Sequence, residues 1–290
     1  MKEMKKVLVF LYLLLIFSTV RAQYPAALPS SGAISVKAIS DWMLVAGEIT
    51  TGTYSISSLN SKSHLTDKTA PYSLSDWYGY GAKAFTSCGN SFSVAHNAGS
   101  ISPVSKLITY TTVSTSATGT TKCWITQNLG AEHSATSAND ATAASGGWYW
   151  QFNRAQGTYV ADDGTVTSTN WYTSINESSD WTAANDPCTL LLGTGWRIPT
   201  YSEWVAVSNN SAFLTPALRY ASVLILHNSG FSSGVTSMTL TARGANFSYW
   251  SASQDAATLG WEPSDASGGG KLSPYNVTKT CALSLRCLKD

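Results

Sequence analysis

Residues 186–204 read Asp-Pro-Cys-Thr-Leu-Leu-Leu-Gly-Thr-Gly-Trp-Arg-Ile-Pro-Thr-Tyr-Ser-Glu-Trp, and this stretch decides how the chain is read. Thr200 is followed three residues later by Glu203, the spacing of a capping box, in which each side chain satisfies an otherwise orphaned backbone N–H. Pro199 and Trp204 stand at the two positions of a hydrophobic staple across that cap. A helix is therefore predicted to start at Tyr201. Ahead of it, Gly193 and Gly195 permit a turn, and Trp196 and Ile198 fall on one face of a short extended segment.

Working outward, three more ordered segments stand out. They are Cys123-Trp124-Ile125-Thr126-Gln127-Asn128-Leu129, then Arg243-Gly244 with Tyr249-Trp250-Ser251, and finally Ser284-Leu285-Arg286-Cys287. With Gly195-Trp196-Arg197-Ile198-Pro199-Thr200 and Glu203-Trp204, they resemble the signature of the Fibrobacter succinogenes major paralogous domain family over residues 86–290. Four motifs in order are more specific than one. The resemblance implies a secreted or surface protein of Bacteroidetes type. It also implies an α+β fold of C-type lectin-like form, related to that of formylglycine-generating enzymes, with small antiparallel sheets, a few helices and long irregular loops. Trp124, Asn128, Trp196, Arg197, Pro199, Thr200, Glu203, Trp204, Arg243, Gly244, Trp250 and Arg286 are by this resemblance structural-motif residues.

The first 22 residues read as a secretory signal. Lys2, Lys5 and Lys6 precede an apolar run from Val7 to Phe17 that is too short to span a bilayer, and Val20-Arg21-Ala22 supplies small residues for cleavage before Gln23. The formal charge of +1 falls to −2 without this segment, which carries Lys2, Lys5, Lys6 and Arg21 against Glu3. Charged residues make up only 12% of the chain, about half the usual share, with no basic stripe for nucleic acid and no polybasic tail for a membrane surface. No second apolar segment is long enough to cross a membrane.

Residues 23–85 are predicted to form a small helical module with Ile39, Trp42, Leu44, Leu59, Leu65, Leu74 and Trp77 as apolar anchors. Within it, Ser73-Leu74-Ser75-Asp76-Trp77-Tyr78-Gly79 resembles a short motif of phage tail-fibre and bacterial surface proteins, which implies a spacer or docking element. A partly ordered linker is the alternative. From Phe85 the pattern becomes β-like, and residues 91–95 and 106–113 read as a hairpin. The run Trp148-Tyr149-Trp150-Gln151-Phe152 is too apolar for a loop and is assigned to the core. Residues 156–187 read as a long polar loop, 218–231 as a helix or a strand, 252–279 as loop-dominated, and 282–288 as a closing strand.

Five cysteines in an exported chain predict disulfides with one thiol left over. Cys88 and Cys123 bracket the hairpin. Cys188 has Cys287 or Cys281 as partner, and the lectin-like resemblance, which brings the two ends of the domain together, favours Cys287 and leaves Cys281 odd. His64, His96, His133 and His227 are scattered without metal-ligand spacing, so no metal and no cofactor is expected.

No Gly-x-Ser-x-Gly elbow occurs, and Ser267-Gly268-Gly269-Gly270-Lys271 lacks Walker spacing. Formylglycine-generating enzymes use a closely spaced cysteine pair for copper, and no cysteine lies between Arg243 and Lys279. Glu262-Pro263-Ser264 echoes only in part the calcium-binding loop of lectins, so calcium-dependent sugar recognition is not predicted. The expectation is a non-catalytic binding or adhesion protein whose unknown protein or glycan ligand meets Trp261, Asp265, Tyr275 and Asn276 on the 255–276 segment. A structural subunit of a surface appendage is the alternative, and an enzyme ranks third.

Overall fold

The structure, a computed structural model of the chain, describes residues 28, 34–45, 52–60, 74–77, 84–168, 170–232, 237–265 and 272–290. The signal segment at 1–22, the anchor Leu65, His64 and the Gly-rich run 267–271 lie outside the described residues. The architecture is α+β, with short helices against several small antiparallel sheets.

Near the N-terminus, α1 (Val36–Val45), α2 (Ile56–Asn60) and a 3₁₀ turn (Leu74–Trp77) lie over a hairpin of β1 (Phe92–His96) and β2 (Lys106–Tyr110). Side chains alternate across a strand, and β2 uses both of its faces. Leu107 joins Ile39, Trp42, Met43, Leu59 and Trp77, whereas Ile108 and Tyr110 enter the main core. The 23–85 segment, where described, thus shares its apolar core with the hairpin.

Strands β3 (Thr112–Thr115) and β4 (Lys122–Ile125) begin a second sheet. After α3 (Ala143–Gly146) come β5 (Trp148–Gln151), β6 (Thr158–Val160) and β7 (Val166–Thr167). The polar segment 156–187, expected as loop, therefore contributes two strands, because pairing with β5 supplies the ladder that its composition does not advertise. Next are α4 (Pro187–Leu192), β8 (Trp196–Arg197), α5 (Tyr201–Asn209) and α6 (Pro216–Ala221), followed by β9 (Phe231–Ser232) and β10 (Leu240–Thr241). The ambiguous 218–231 segment is mostly neither helix nor strand beyond α6.

Residues 252–279, read as loop-dominated, form a three-stranded meander instead: β11 (Gln254–Ala256), β12 (Leu259–Ser264) and β13 (Ser273–Thr278). The expected closing strand is broken in two. Its first half, β14 (Ala282–Ser284), lies in a six-stranded sheet ordered β10-β9-β14-β5-β6-β7. Its second half, β15 (Leu288–Lys289), lies in a four-stranded sheet ordered β3-β4-β15-β8. One short segment thus joins two sheets.

The decisive stretch behaves as its chemistry dictates. Thr200 caps α5 through Glu203 N–H, and the Glu203 carboxylate accepts from Thr200 N–H at 2.8 Å. Glu203 also takes a bidentate pair from Arg197 at 2.8 and 2.7 Å, and Arg197 reaches Asp290. Hydrogen bonds to those two carboxylates hold the Arg197 pKa above its ordinary value despite partial burial. Upstream, Asp186 caps α4 by accepting from Cys188 N–H and spans to Ile198 N–H with its other oxygen. Disulfides join Cys88 to Cys123 and Cys188 to Cys287, leaving Cys281 as a buried free thiol. No helix among the described residues is long and apolar enough to cross a membrane.

The aromatic run at β5 is core, with Trp148, Tyr149, Trp150 and Phe152 fully buried. Gly130 makes this packing possible: it sits at φ +82°, and a Cβ there would fall 2.2 Å from Cδ2 of Trp148. Its N–H donates to the buried Tyr110 hydroxyl. Gly130→Ala combines backbone strain with a clash against a rigid ring, so a loss of more than about 2 kcal/mol is expected in a denaturant titration. A variant as stable as wild type would overturn this account of the core.

Candidate functional site

The face that carries the sequence-nominated binding residues is the meander β11-β12-β13 with α5 packed along β12 and β13. Two prolines, Pro263 and Pro274, stand directly opposite each other across β12 and β13. Proline has no N–H to donate, so such a pair fits only at a site where neither residue is asked for a cross-strand bond. That phase turns the Trp261 backbone towards β11, where its N–H donates to Ser253 O and its carbonyl accepts from Ser251 N–H. The prolines therefore fix the register of the meander rather than break it.

On this sheet the Trp261 ring is half-buried and meets Tyr201 of α5 at 4.7 Å between centroids, tilted by 46°. Tyr275 is 54% exposed and is among the most exposed large hydrophobic residues described. Asn276 pairs with Asp255 at the surface, its amide donating at 2.7 Å. Trp261 and Asn276 stand opposite each other on the same side of the sheet as Pro274, and Tyr275 stands opposite Glu262 on the other side. The fourth nominated residue is not at the surface. Asp265 is buried and accepts from Arg219 at 2.6 Å, both side chains being fully inaccessible. The assignment of Asp265 to a binding surface is corrected: its charge is committed to an internal ion pair, because a lone buried carboxylate would be costly.

The residue that sequence reasoning passed over as a binding group is Glu262. It is only 6% exposed, and its Oε2 has no hydrogen-bond partner. Burial, reinforced by the negative Asp265, pushes its pKa up to about 8 against a hydrogen bond with Ser248. It is consequently a neutral acid at neutral pH, able to donate as well as accept. Glu262 lines a half-enclosed cleft of about 10 Å³ with Tyr201, Trp204, Ser251 and Trp261, room for one water-sized group. Val205, Ser208 and Pro274 also line this cleft, and the same three residues line a wider groove of about 210 Å³ beside it. Asn209, Leu272 and Ser273 complete the outer groove. The sequence signal available was Tyr201, at the start of the capped helix, and the Pro263/Pro274 spacing.

Of the motif residues, Trp204, Trp250 and Pro199 brace this face, and the others hold other parts of the core. Trp204 packs edge-on against Trp124, and its indole N–H donates to Trp250 O. Pro199 O accepts from Ala252 N–H. Arg243 donates to the Tyr149 hydroxyl, to Asp162 and to Val160 O, and Gly244 at φ +79° has Asn139 O where a Cβ would be. Arg286 reaches Asn128. The buried ring of Trp196 stacks on Phe92. Burial pushes both His96 and His227 down to about 3, so both are neutral imidazoles at physiological pH. Among the described residues no three His, Cys, Asp or Glu side chains come together as a metal site.

A carboxyl whose pKa is raised from 4.5 to about 8 on folding stabilises the native state below 4.5 and loses that contribution as pH rises to about 8. Wild-type stability should decline through that window relative to Glu262→Gln, by up to a few kcal/mol, in parallel denaturant titrations. A difference that stays constant with pH would refute the buried neutral acid.

No family model matches the chain, and neither a curated protein nor a solved structure is significantly similar to it.

Proposed function

We propose that this chain is an exported, non-catalytic binding or adhesion protein of the Fibrobacter succinogenes major paralogous type, with a C-type lectin-like domain at 86–290. It engages a protein or glycan at the cell exterior through the α5-β12-β13 face. The observation that carries this reading is the apposition of Tyr201 on α5 with Trp261 and Pro274 on a meander packed against that helix, with Tyr275 exposed on the neighbouring strand. Aromatic side chains give large contact area at low entropy cost, which suits recognition. The two disulfides are consistent with an oxidising compartment, and so with the secretory reading of the first 22 residues. Residues 23–85 serve in this reading as a spacer or docking element attached over the hairpin.

The test is an array of glycans and host proteins probed with the chain lacking residues 1–22, beside Trp261→Ala and Tyr275→Ala. Tyr275 is exposed, so its replacement should leave stability within about 0.5 kcal/mol. Expected is at least one captured ligand whose signal falls about tenfold or more in both folded variants. Capture that neither variant alters would sink the site, and the absence of any ligand would direct attention to assembly of a surface structure.

A further inference from the structure

Among the described residues, β13 is the longest strand at a sheet edge, six residues from Ser273 to Thr278 paired with β12 on one side only. It carries no charged side chain, and Ser273, Pro274, Tyr275 and Thr278 are exposed. Proteins ordinarily shorten, charge or cover such an edge, because its unpaired N–H and C=O groups accept another strand. The phase of the meander decides which groups are offered. Trp261 spends its N–H and carbonyl on β11. Asn276, opposite it, therefore stands in a non-bonded pair and turns its own N–H and carbonyl outward. Two residues to either side, Pro274 and Thr278 turn outward as well. Proline brings no donor there, and the Thr278 carbonyl already accepts from Cys281 N–H.

We propose that this edge pairs with the same edge of a second copy of the chain, antiparallel about a two-fold axis through Asn276, joining two three-stranded meanders into one continuous sheet. The edge is complementary to itself in this register. Asn276 of each copy exchanges both N–H···O bonds with Asn276 of the other, and each Thr278 N–H donates to Pro274 O across the axis. The donor that Pro274 lacks then falls opposite the outward acceptor already in use, the Thr278 carbonyl. Shifted by one bonded pair in one direction, the Asn276 carbonyl would face the proline nitrogen. Shifted in the other, the Asn276 N–H would face the occupied Thr278 carbonyl. Either shift leaves a backbone group unmatched.

The side chains suit the same register. Trp261 meets Tyr201 of α5 on one side of the sheet, and Tyr275 lies on the other, 54% exposed. Pairing about Asn276 sets Tyr275 opposite Val277 of the second copy, an aromatic and β-branched pair of the kind that stabilises antiparallel strands. With no charge on β13, the axis sets no like charges against each other along the strand. One strand and its side chains make a small contact, so the association is weak and reversible, micromolar or above, and fills where copies are crowded. It does not rest on the binding reading, whose contact between Trp261 and α5 stays on the opposite side of the sheet.

The test is sedimentation equilibrium of the disulfide-bonded chain lacking residues 1–22, from about 1 to about 500 µM. A reversible monomer–dimer equilibrium is expected. Asn276→Pro removes the central outward donor but no bond of the β12–β13 ladder, and should weaken dimerisation about tenfold or more. Asn276→Ala loses the same side chain and keeps the N–H, so it should stay within about threefold of wild type. Asn276→Cys and Ser273→Cys, each treated with a short bis-maleimide, report the register, since the two Asn276 positions lie about 5.5 Å apart across the axis and the two Ser273 positions about 20 Å. Only Asn276→Cys should be linked into dimers; the buried Cys281 is common to both. The proposal falls if the chain is monomeric throughout, if Asn276→Pro dimerises as well as Asn276→Ala, or if Ser273→Cys links as readily as Asn276→Cys. If Asn276→Pro does not fold, the two cysteine variants decide. A monomeric chain that captures a ligand on the array would keep the binding function and discard the pairing.

Discussion

The guanidinium of Arg286 is the contact on which the rest depends. It is fully buried, and the groups that receive its protons are oxygens of neutral groups: Leu224 O and Asn128 Oδ1 at 3.0 Å, Ile225 O at 3.3 Å and Ile125 O at 3.4 Å. Burial lowers its pKa, although an arginine gives up its proton only under extreme conditions. A cation in a core is tolerated when its donors find acceptors, and here both terminal nitrogens are bonded to two distant parts of the chain, while Nε has no partner. The closing segment, the segment after β4 and the turn after α6 must all be in place at once. Ile225 adopts φ +48° to present its carbonyl, a backbone cost accepted at the same point.

A second set of contacts carries this order to the surface. The Trp250 indole donates to Trp150 O at 2.6 Å, and the Trp204 indole donates to Trp250 O at 3.2 Å. Trp204 then packs on Trp124 and Tyr249. Each indole spends its polar atom on a backbone carbonyl and its ring on the core, so α5 is tied to β5 and β4 through side chains rather than by its own length. At nine residues, α5 would be marginal alone. The groove between α5 and the meander keeps its shape because both walls are anchored to this relay.

How much of this was legible follows from the range of each interaction. The cap at Thr200 and Glu203 and the aromatic core strand depend on residues within a few positions of one another, and sequence spacing reports them directly. The pairing of Cys188 with Cys287 spans 99 residues and came by resemblance. The meander was missed because Gly, Ser and Pro around 252–279 carry loop chemistry. Two prolines that would each argue against a strand are compatible with one when they face each other at a non-bonded pair. The buried fate of Asp265 was invisible because its partner Arg219 lies 46 residues away. The break in the closing strand has the same origin, since Arg286 and Cys287 serve partners outside either sheet.

Glu262 and Asp265 show how neighbouring carboxyls are driven to opposite states. They interact unfavourably when both are charged, and the cation of Arg219 is within reach of Asp265. The arginine goes to Asp265, forming an ion pair inaccessible to solvent. Glu262, left with desolvation and the repulsion of Asp265, keeps its proton instead. The arrangement keeps a neutral hydrogen-bonding group in the interior without leaving an unpaired charge there. The proton on Glu262 therefore follows from burial and from where Arg219 is spent, and both are set by how β12 lies against the core.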